Sequence, residues 1–115
     1  MDIATRASEI DPKLTIAVLS GKLGVNVAEE LRTELSSVLS KCERGVVLDM
    51  SDVHFVGSGG LRALMLVYRE AEGAGKKMAM IRVQPAVNKI FKLTTFDALF
   101  HIHEDEADAI KSLSA

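Results

Sequence analysis

The stretch that decides the predicted fold is GVVLDMSDVHFVGSGGLRALMLVYREAEGAGKKMAMIRV, residues 45–83. Residues 45–50 form a short, continuous apolar run rich in β-branched residues, which is typical of a strand covered on both faces of a parallel sheet. Helical periodicity follows at 58–73, and a second apolar strand is expected at 76–83. A strand, a helix and a strand in this order predict a right-handed parallel crossover.

The segments before this unit predict two strands and a helix. Strands are expected at 2–10 and 13–20, with a turn signal between them. A helix is expected over 26–42, where apolar residues recur at helical spacing. Asn26, with Glu29 three residues later, resembles a capping box and marks the start of that helix.

The segments after the unit predict a helix that begins at Pro85, a strand at 99–103 and a closing helix over 104–114. The predicted fold class is therefore α/β, with a mixed, mostly parallel β-sheet packed with about four helices. The chain of 115 residues contains no linker or repeat, so residues 1–115 are expected to form a single domain.

Composition and charge exclude several classes of function. The net charge is −2 and no basic block occurs, so the chain lacks the electrostatic footprint of a nucleic-acid-binding protein. No apolar run approaches the ~20 residues that cross a bilayer, and the N-terminus does not resemble a signal peptide. A soluble, cytoplasmic protein without direct membrane insertion is the expectation.

The glycine-rich turn Gly57-Ser58-Gly59-Gly60 is the most unusual motif in the chain. It is not a P-loop, because no lysine follows the glycines. It matches the dinucleotide fingerprint in part, but Arg62 stands at the third glycine position. It also matches a nucleophile elbow in part, but Val56 replaces the first glycine. The interpretation from spacing alone is a helix N-cap, in which the Ser58 hydroxyl accepts the backbone N–H of Leu61.

The chain resembles the single-domain bacterial anti-sigma factor antagonists, which are small members of the STAS family. Residues 45–65, GVVLDMSDVHFVGSGGLRALM, are similar to the family's most specific segment, in which a strand ends in Asp-x-Ser and a helix opens at a serine. LSGKLGVNVAEELRTEL at 19–35 and AMIRVQPAVNKIFKLTTFDALFHIHEDEADAI at 79–110 resemble the family before and after that segment. The resemblance thus extends over nearly the whole chain.

The resemblance implies a partner-switching regulator and not an enzyme. The family's phosphorylated serine matches Ser58, and its kinase is also the anti-sigma factor. The unphosphorylated antagonist binds the anti-sigma factor, and phosphorylation of the antagonist ends this binding. A serine phosphatase then removes the phosphate and restores the binding form. One position departs from the family pattern, because Gly57 stands where an aspartate usually precedes the serine.

The helix over 58–73 is predicted to face the core with Leu61, Leu64, Met65 and Tyr68, which recur at helical spacing. The opposite face and the loop before the helix are expected to bind the partner. The predicted partner-binding residues are His54, Val56, Gly57, Ser58, Gly59, Arg62, Leu66 and Arg69.

Two other functions remain open. One is a cytoplasmic STAS subunit of a lipid-trafficking ABC transporter that docks on its ATPase. The other is a small nucleotide-binding protein that uses the glycine turn. No catalytic residue and no cofactor are predicted. No metal site is predicted either, because His101 and His103 share a strand face without a third ligand in the sequence. A monomer is expected.

Overall fold

The computed structural model describes residues 1–114. The strands in this part of the chain are β1 (Asp2–Ala7), β2 (Leu14–Leu23), β3 (Gly45–Val56), β4 (Lys77–Ile81) and β5 (His101–His103). The α-helices are α1 (Ala28–Lys41), α2 (Ser58–Gly73), α3 (Pro85–Leu93) and α4 (Glu106–Ser114). Short 3-10 turns lie at Val25–Val27 and Phe96–Ala98.

The strands form one sheet in the order β1-β2-β3-β4-β5. β1 pairs antiparallel with β2, and every later pair is parallel. This topology confirms the predicted mixed, mostly parallel sheet with its helices. The carboxyl ends of β2 to β5 lie at one edge of the sheet, and α2 begins directly after β3. The first turn of α2 therefore lies at the edge where open α/β sheets present ligands and partners.

Helices cover both faces of the sheet, because successive strand side chains point to opposite faces. One face buries Leu35 of α1, Leu64 of α2 and Phe91 of α3 in a common core. The other face packs Val47 and its neighbours against α4 through Ile110. Each fully buried side chain of this size contributes about 1.5–3 kcal/mol, so these two cores fix the strands that carry the loops at the carboxyl edge.

β3 is longer than the sequence predicts. The apolar run at 45–50 was expected to end in a loop over 51–57, but the strand continues to Val56. It does so because β2 is also longer than its predicted 13–20 and pairs with β3 as far as Leu23 opposite Val56. Polar residues interrupt the sequence pattern over this second half, which concealed the strand.

Two irregularities occur in the pairing of β2 with β3. The partner of Val18 is Asp49 and that of Ser20 is Asp52, so β3 contributes one more residue than β2. A second shift follows between Gly21 and Lys22, and leaves His54 as an additional residue of β3. Such bulges reorient the side chains next to them. Here His54 and the following Phe55 are both exposed instead of alternating.

The boundaries predicted for the other strands and helices lie close to those in the structure, and the differences have physical reasons. β1 ends at Ala7 because the Ser8 hydroxyl accepts the N–H groups of Ile10 and Asp11, at 3.1 and 3.3 Å, and makes a turn. The predicted capping box is wrong. α1 has Val27 as its N-cap without a side-chain hydrogen bond, because the 3-10 turn before it supplies the helix entry.

Candidate functional site

Ser58 is the first residue of α2 and is exposed to solvent. The prediction that it is the N-cap is wrong, because Gly57 takes that position with extended backbone. The Gly57 carbonyl accepts the N–H of Leu61 at 2.9 Å, and no side chain caps the helix. The Ser58 hydroxyl is therefore presented to solvent at a helix N-terminus instead of being used to hold the helix.

The next two glycines allow the first turn of α2 to lie against the end of β2 and the 3-10 turn that follows it. A Cβ atom on Gly59 would lie 2.7 Å from Cα of Val25, and one on Gly60 would overlap the carbonyl oxygen of Leu23. The space beside these glycines is thus filled by the chain's own backbone. A phosphate cradle needs glycines that leave such space open to a ligand, so close packing explains Gly59 and Gly60.

Two exposed apolar side chains flank the serine. Val25, in the 3-10 turn before α1, is 83% exposed, and Phe55, near the end of β3, is 46% exposed. The Phe55 ring lies over Gly57, where a Cβ atom would be 3.1 Å from Cε2 and 3.2 Å from Cζ. We define the Ser58 patch as Val25, Phe55, Gly57, Ser58 and Gly59. Exposed apolar side chains that lie close together are more typical of interaction sites than single ones are.

Val25 and Phe55 were not predicted from the sequence as partner-binding residues. Alternation along Val53-His54-Phe55-Val56 would assign Phe55 to the same face as the buried Val53. The bulge at His54 reverses this assignment, and a bulge of that kind leaves no clear mark in the sequence. Val25 stands next to Gly24 in a glycine-containing turn, which is the one signal that could have drawn attention to it.

The remaining predicted site residues differ in accessibility. His54 is exposed, and its Nδ1 lies 3.3 Å from Oε1 of Gln84. Arg62 and Arg69 are exposed on α2, whereas Leu66 between them is half-buried. Val56 is only 1% exposed and belongs to the core, so its prediction as a direct partner contact is wrong.

The buried face of α2 agrees with the predicted pattern in part. Leu61 and Leu64 are buried, while Met65 and Tyr68 are half-buried. The Tyr68 ring packs edge-on against Phe100 with centroids 5.6 Å apart. Val67 is buried although the prediction omitted it, because α2 packs against both the sheet and α1 and so needs a wider apolar stripe.

Polar contacts hold β3 where it leaves its pairing with β4. Asp49, which is buried, accepts the Ser51 N–H at 3.0 Å and the Arg82 guanidinium at 3.1 Å. The side-chain amide of Gln84 donates to the Ser51 carbonyl. Asp49 and Gln84 thus hold β3 beyond the end of its pairing with β4, and Arg82 anchors Asp49.

Ala79 and Ile81 pair with His101 and His103, so the two histidines share a face of β5. Among residues 1–114, no group of three or more histidine, cysteine or acidic side chains is arranged to hold a metal ion. None of the helices in this part of the chain combines the length and apolar character needed to span a membrane.

Comparisons with known proteins agree with this geometry. The STAS domain profile matches residues 5–109. BtrV of Bordetella bronchiseptica, whose name classes it with the anti-sigma factor antagonists, is 30% identical over 89 residues, which cover 77% of each chain. A protein of Thermotoga maritima whose name also classes it with the anti-sigma factor antagonists has a similar structure, with a TM-score of 0.87, 17% identity and coverage of 98% of this chain and 95% of that one.

A third similar structure is that of the Bacillus cell fate determinant SpoIIAA in its phosphorylated form. It has a TM-score of 0.65 and 17% identity, with 96% of this chain and 99% of that chain covered. The identities of the two solved structures are low, and their likeness concerns the fold. With a profile match over nearly the whole chain and a curated relative at 30% identity, this chain belongs to the STAS-domain family.

Proposed function

We propose that this protein is an anti-sigma factor antagonist that acts by partner switching. It binds an anti-sigma factor that is also a serine kinase, and the contact is centred on the Ser58 patch. Phosphorylation of Ser58 releases the partner, and a serine phosphatase restores the binding form. The protein works in the cytoplasm as a monomer.

The observation that carries the proposal is the presentation of Ser58. Its hydroxyl is exposed at the start of α2, makes no capping hydrogen bond, and lies between two exposed apolar side chains. A hydroxyl that a kinase must reach has to be free in this way. The apolar flanks supply the desolvated contact area that a binding partner needs.

The same position explains how one modification could switch binding. A phosphoryl group adds about −1.5 to −2 charge units and three acceptor oxygens. The N–H groups and positive dipole end of α2 can accept that charge without unfolding the helix. A partner packed over Val25 and Phe55, in contrast, would have to desolvate it, so binding weakens while the fold persists.

The proposed chemistry belongs to the partner kinase. The Ser58 oxygen attacks the γ-phosphorus of ATP and forms a new O–P bond, while the bond from that phosphorus to ADP breaks. The serine proton passes to a base of the kinase. This protein contributes an accessible nucleophile and a docking surface.

Two relatives support the proposal. The name of BtrV classes it with the anti-sigma factor antagonists. SpoIIAA is a protein of similar fold whose structure is known in a phosphorylated form. The alternative of an ABC-transporter subunit rests on Gly57 at the position of the family's aspartate. The alternative of a nucleotide-binding protein loses its support from the glycines, since backbone fills the space beside Gly59 and Gly60.

The test is intact-mass measurement after incubation with ATP and each purified serine kinase of the host in turn. The wild-type protein should gain one phosphoryl group with one kinase, and Ser58→Ala should gain none. The unphosphorylated form should bind that kinase, and the phosphorylated form should not. If no kinase modifies Ser58, or if both forms bind equally, the proposed function is wrong.

A further inference from the structure

The ring of Phe55 packs against Gly57. The backbone of Gly57 is extended, with φ −92° and ψ −178°, which any residue can adopt. Its surroundings are otherwise open, because the nearest atoms to a Cβ atom are the two ring atoms of Phe55 and then Cα of Gly24 at 3.9 Å. The Phe55 ring is therefore what restricts a side chain at position 57.

The ring also has a defined location. Its Cε2 atom would lie 3.1 Å from a Cβ atom on Gly57 and 3.9 Å from one on Gly24, so the ring edge covers two glycines at once. The bulge at His54 turns Phe55 outward, and 46% of the residue remains exposed. The flat ring lies over two glycines, which have no side chains, and can present its free face to a partner. The entropic cost is low, since only two side-chain torsions have to be fixed.

Gly57 immediately precedes Ser58, so the ring lies beside the residue whose hydroxyl a kinase has to reach. Aromatic side chains, phenylalanine included, are enriched in protein interfaces, and the residues that dominate binding lie in well-packed, fully desolvated pockets. A side chain at position 57 would project into the space that the ring occupies. The ring and the glycine thus form one recognition element, and changing either member alters the same surface.

We propose that Phe55, seated on the side-chain-free Gly57, is the specificity-determining contact for the kinase that phosphorylates Ser58. This inference rests on the proposed function and adds a prediction about the partner. The kinase should carry an apolar pocket for an aromatic ring beside the site that receives the serine. A kinase that instead uses polar groups to recognise a side chain before the serine should act poorly on this protein.

The test uses steady-state phosphoryl transfer from ATP by the kinase that intact mass identifies, with the variants Phe55→Ala, Phe55→Tyr, Gly57→Ala and the double variant Phe55→Ala/Gly57→Ala. We expect KM for the protein substrate to rise by about tenfold or more in Phe55→Ala, with kcat within about twofold of wild type. Phe55→Tyr keeps an aromatic ring, so its KM should stay close to that of the wild type. Thermal unfolding of each variant ensures that the comparison is made between folded proteins.

The double variant separates this proposal from a general loss of surface area. Gly57→Ala displaces the ring, so we expect it to raise KM alone but to add little to Phe55→Ala, since contacting residues that act together are not additive. Full additivity, or an unchanged KM in Phe55→Ala, would overturn the assignment of Phe55 while leaving Ser58 phosphorylation intact. If no kinase transfers phosphate to Ser58, the proposed function and this assignment both fail.

Discussion

The Arg82 guanidinium donates a hydrogen bond of 3.1 Å to the Asp49 carboxylate. This contact joins the end of β4 to the residue of β3 at which the pairing of the two strands ends. Asp49 also accepts the Ser51 N–H at 3.0 Å. Arg82 has a φ of 53°, a left-handed conformation that a residue other than glycine rarely adopts. The ion pair thus holds a strained residue beside the strand that leads to Ser58.

Asp49→Ala should lower the free energy of unfolding by about 1.5–3 kcal/mol, the range for hydrogen bonds to a charged group. The lower half of that range is expected because the Arg82 side chain is 43% exposed and water screens the pair. Urea unfolding measures the change. Asp52→Ala, at an exposed position of the same strand, is the control and should change stability by less than about 0.5 kcal/mol. Equal effects of the two variants would contradict the role of Asp49.

Gly60→Ala should destabilise the protein by about 1–3 kcal/mol, because the new methyl group overlaps the Leu23 carbonyl and forces α2 away from β2. Gly73→Ala, at the last residue of the same helix, is the matched control. Nothing lies within 4 Å of a Cβ atom there, so this variant should be neutral or more stable by up to about 1 kcal/mol. Denaturant unfolding compares them, and a neutral Gly60→Ala would refute the close approach.

Glu106 predicts a dependence of stability on pH. The hydrogen bond from Arg6 at 2.7 Å, with a further one from Ser8, holds the pKa of Glu106 below its usual value. Because the folded-state pKa is depressed, the contribution is complete above the unfolded pKa of about 4.3 and is lost as the pH falls through the lower, folded value. Glu106→Gln should therefore lower Tm near neutral pH.

The difference in Tm between wild type and Glu106→Gln should shrink below about pH 4. Thermal unfolding followed by circular dichroism across this range is the measurement. A difference that stays constant at all pH values would mean that the charge of Glu106 does not contribute, and that the variant acts through packing alone.

Val25→Ser should weaken binding of the partner kinase by about 5- to 150-fold, the range for a central contact worth about 1–3 kcal/mol. Leu93→Ser, at the end of α3, is the matched control, because Leu93 is 75% exposed and Val25 is 83% exposed. Neither variant should affect folding. Isothermal titration calorimetry with the purified kinase distinguishes them, and equal affinities for the two variants would remove Val25 from the interface.

Arg62→Ala should shorten the lifetime of the phosphorylated protein in the presence of the phosphatase, or lower its Tm. Arg62 is exposed one turn after Ser58, within reach of a phosphate on that residue. Arg69→Ala is the control, since Arg69 is also exposed on α2 but two turns further on. If the phosphorylated Arg62→Ala and Arg69→Ala variants have the same lifetime and the same Tm, a pairing of Arg62 with the phosphate is excluded.

Much of the fold could be predicted because the apolar pattern is strong where an element is buried on one or both faces. The runs at 45–50 and 76–83 identify parallel strands, and the periodicity of 58–73 identifies α2. The second half of β3 was missed because its polar residues do not alternate. Its strand character comes from pairing with β2 and from the side chain of Gln84, which are distant in sequence.

The sequence by itself determined the α/β class, the family resemblance and the position of Ser58 at the beginning of a helix, since these depend on local periodicity and on a short motif. Only the tertiary structure decided that Gly57 is the cap, that Val56 is buried and that Phe55 and Val25 flank the serine. The physical reason is the bulge at His54 and the close packing of Gly59 on Val25 and of Gly60 on Leu23. Both arise between segments that meet only when the sheet forms.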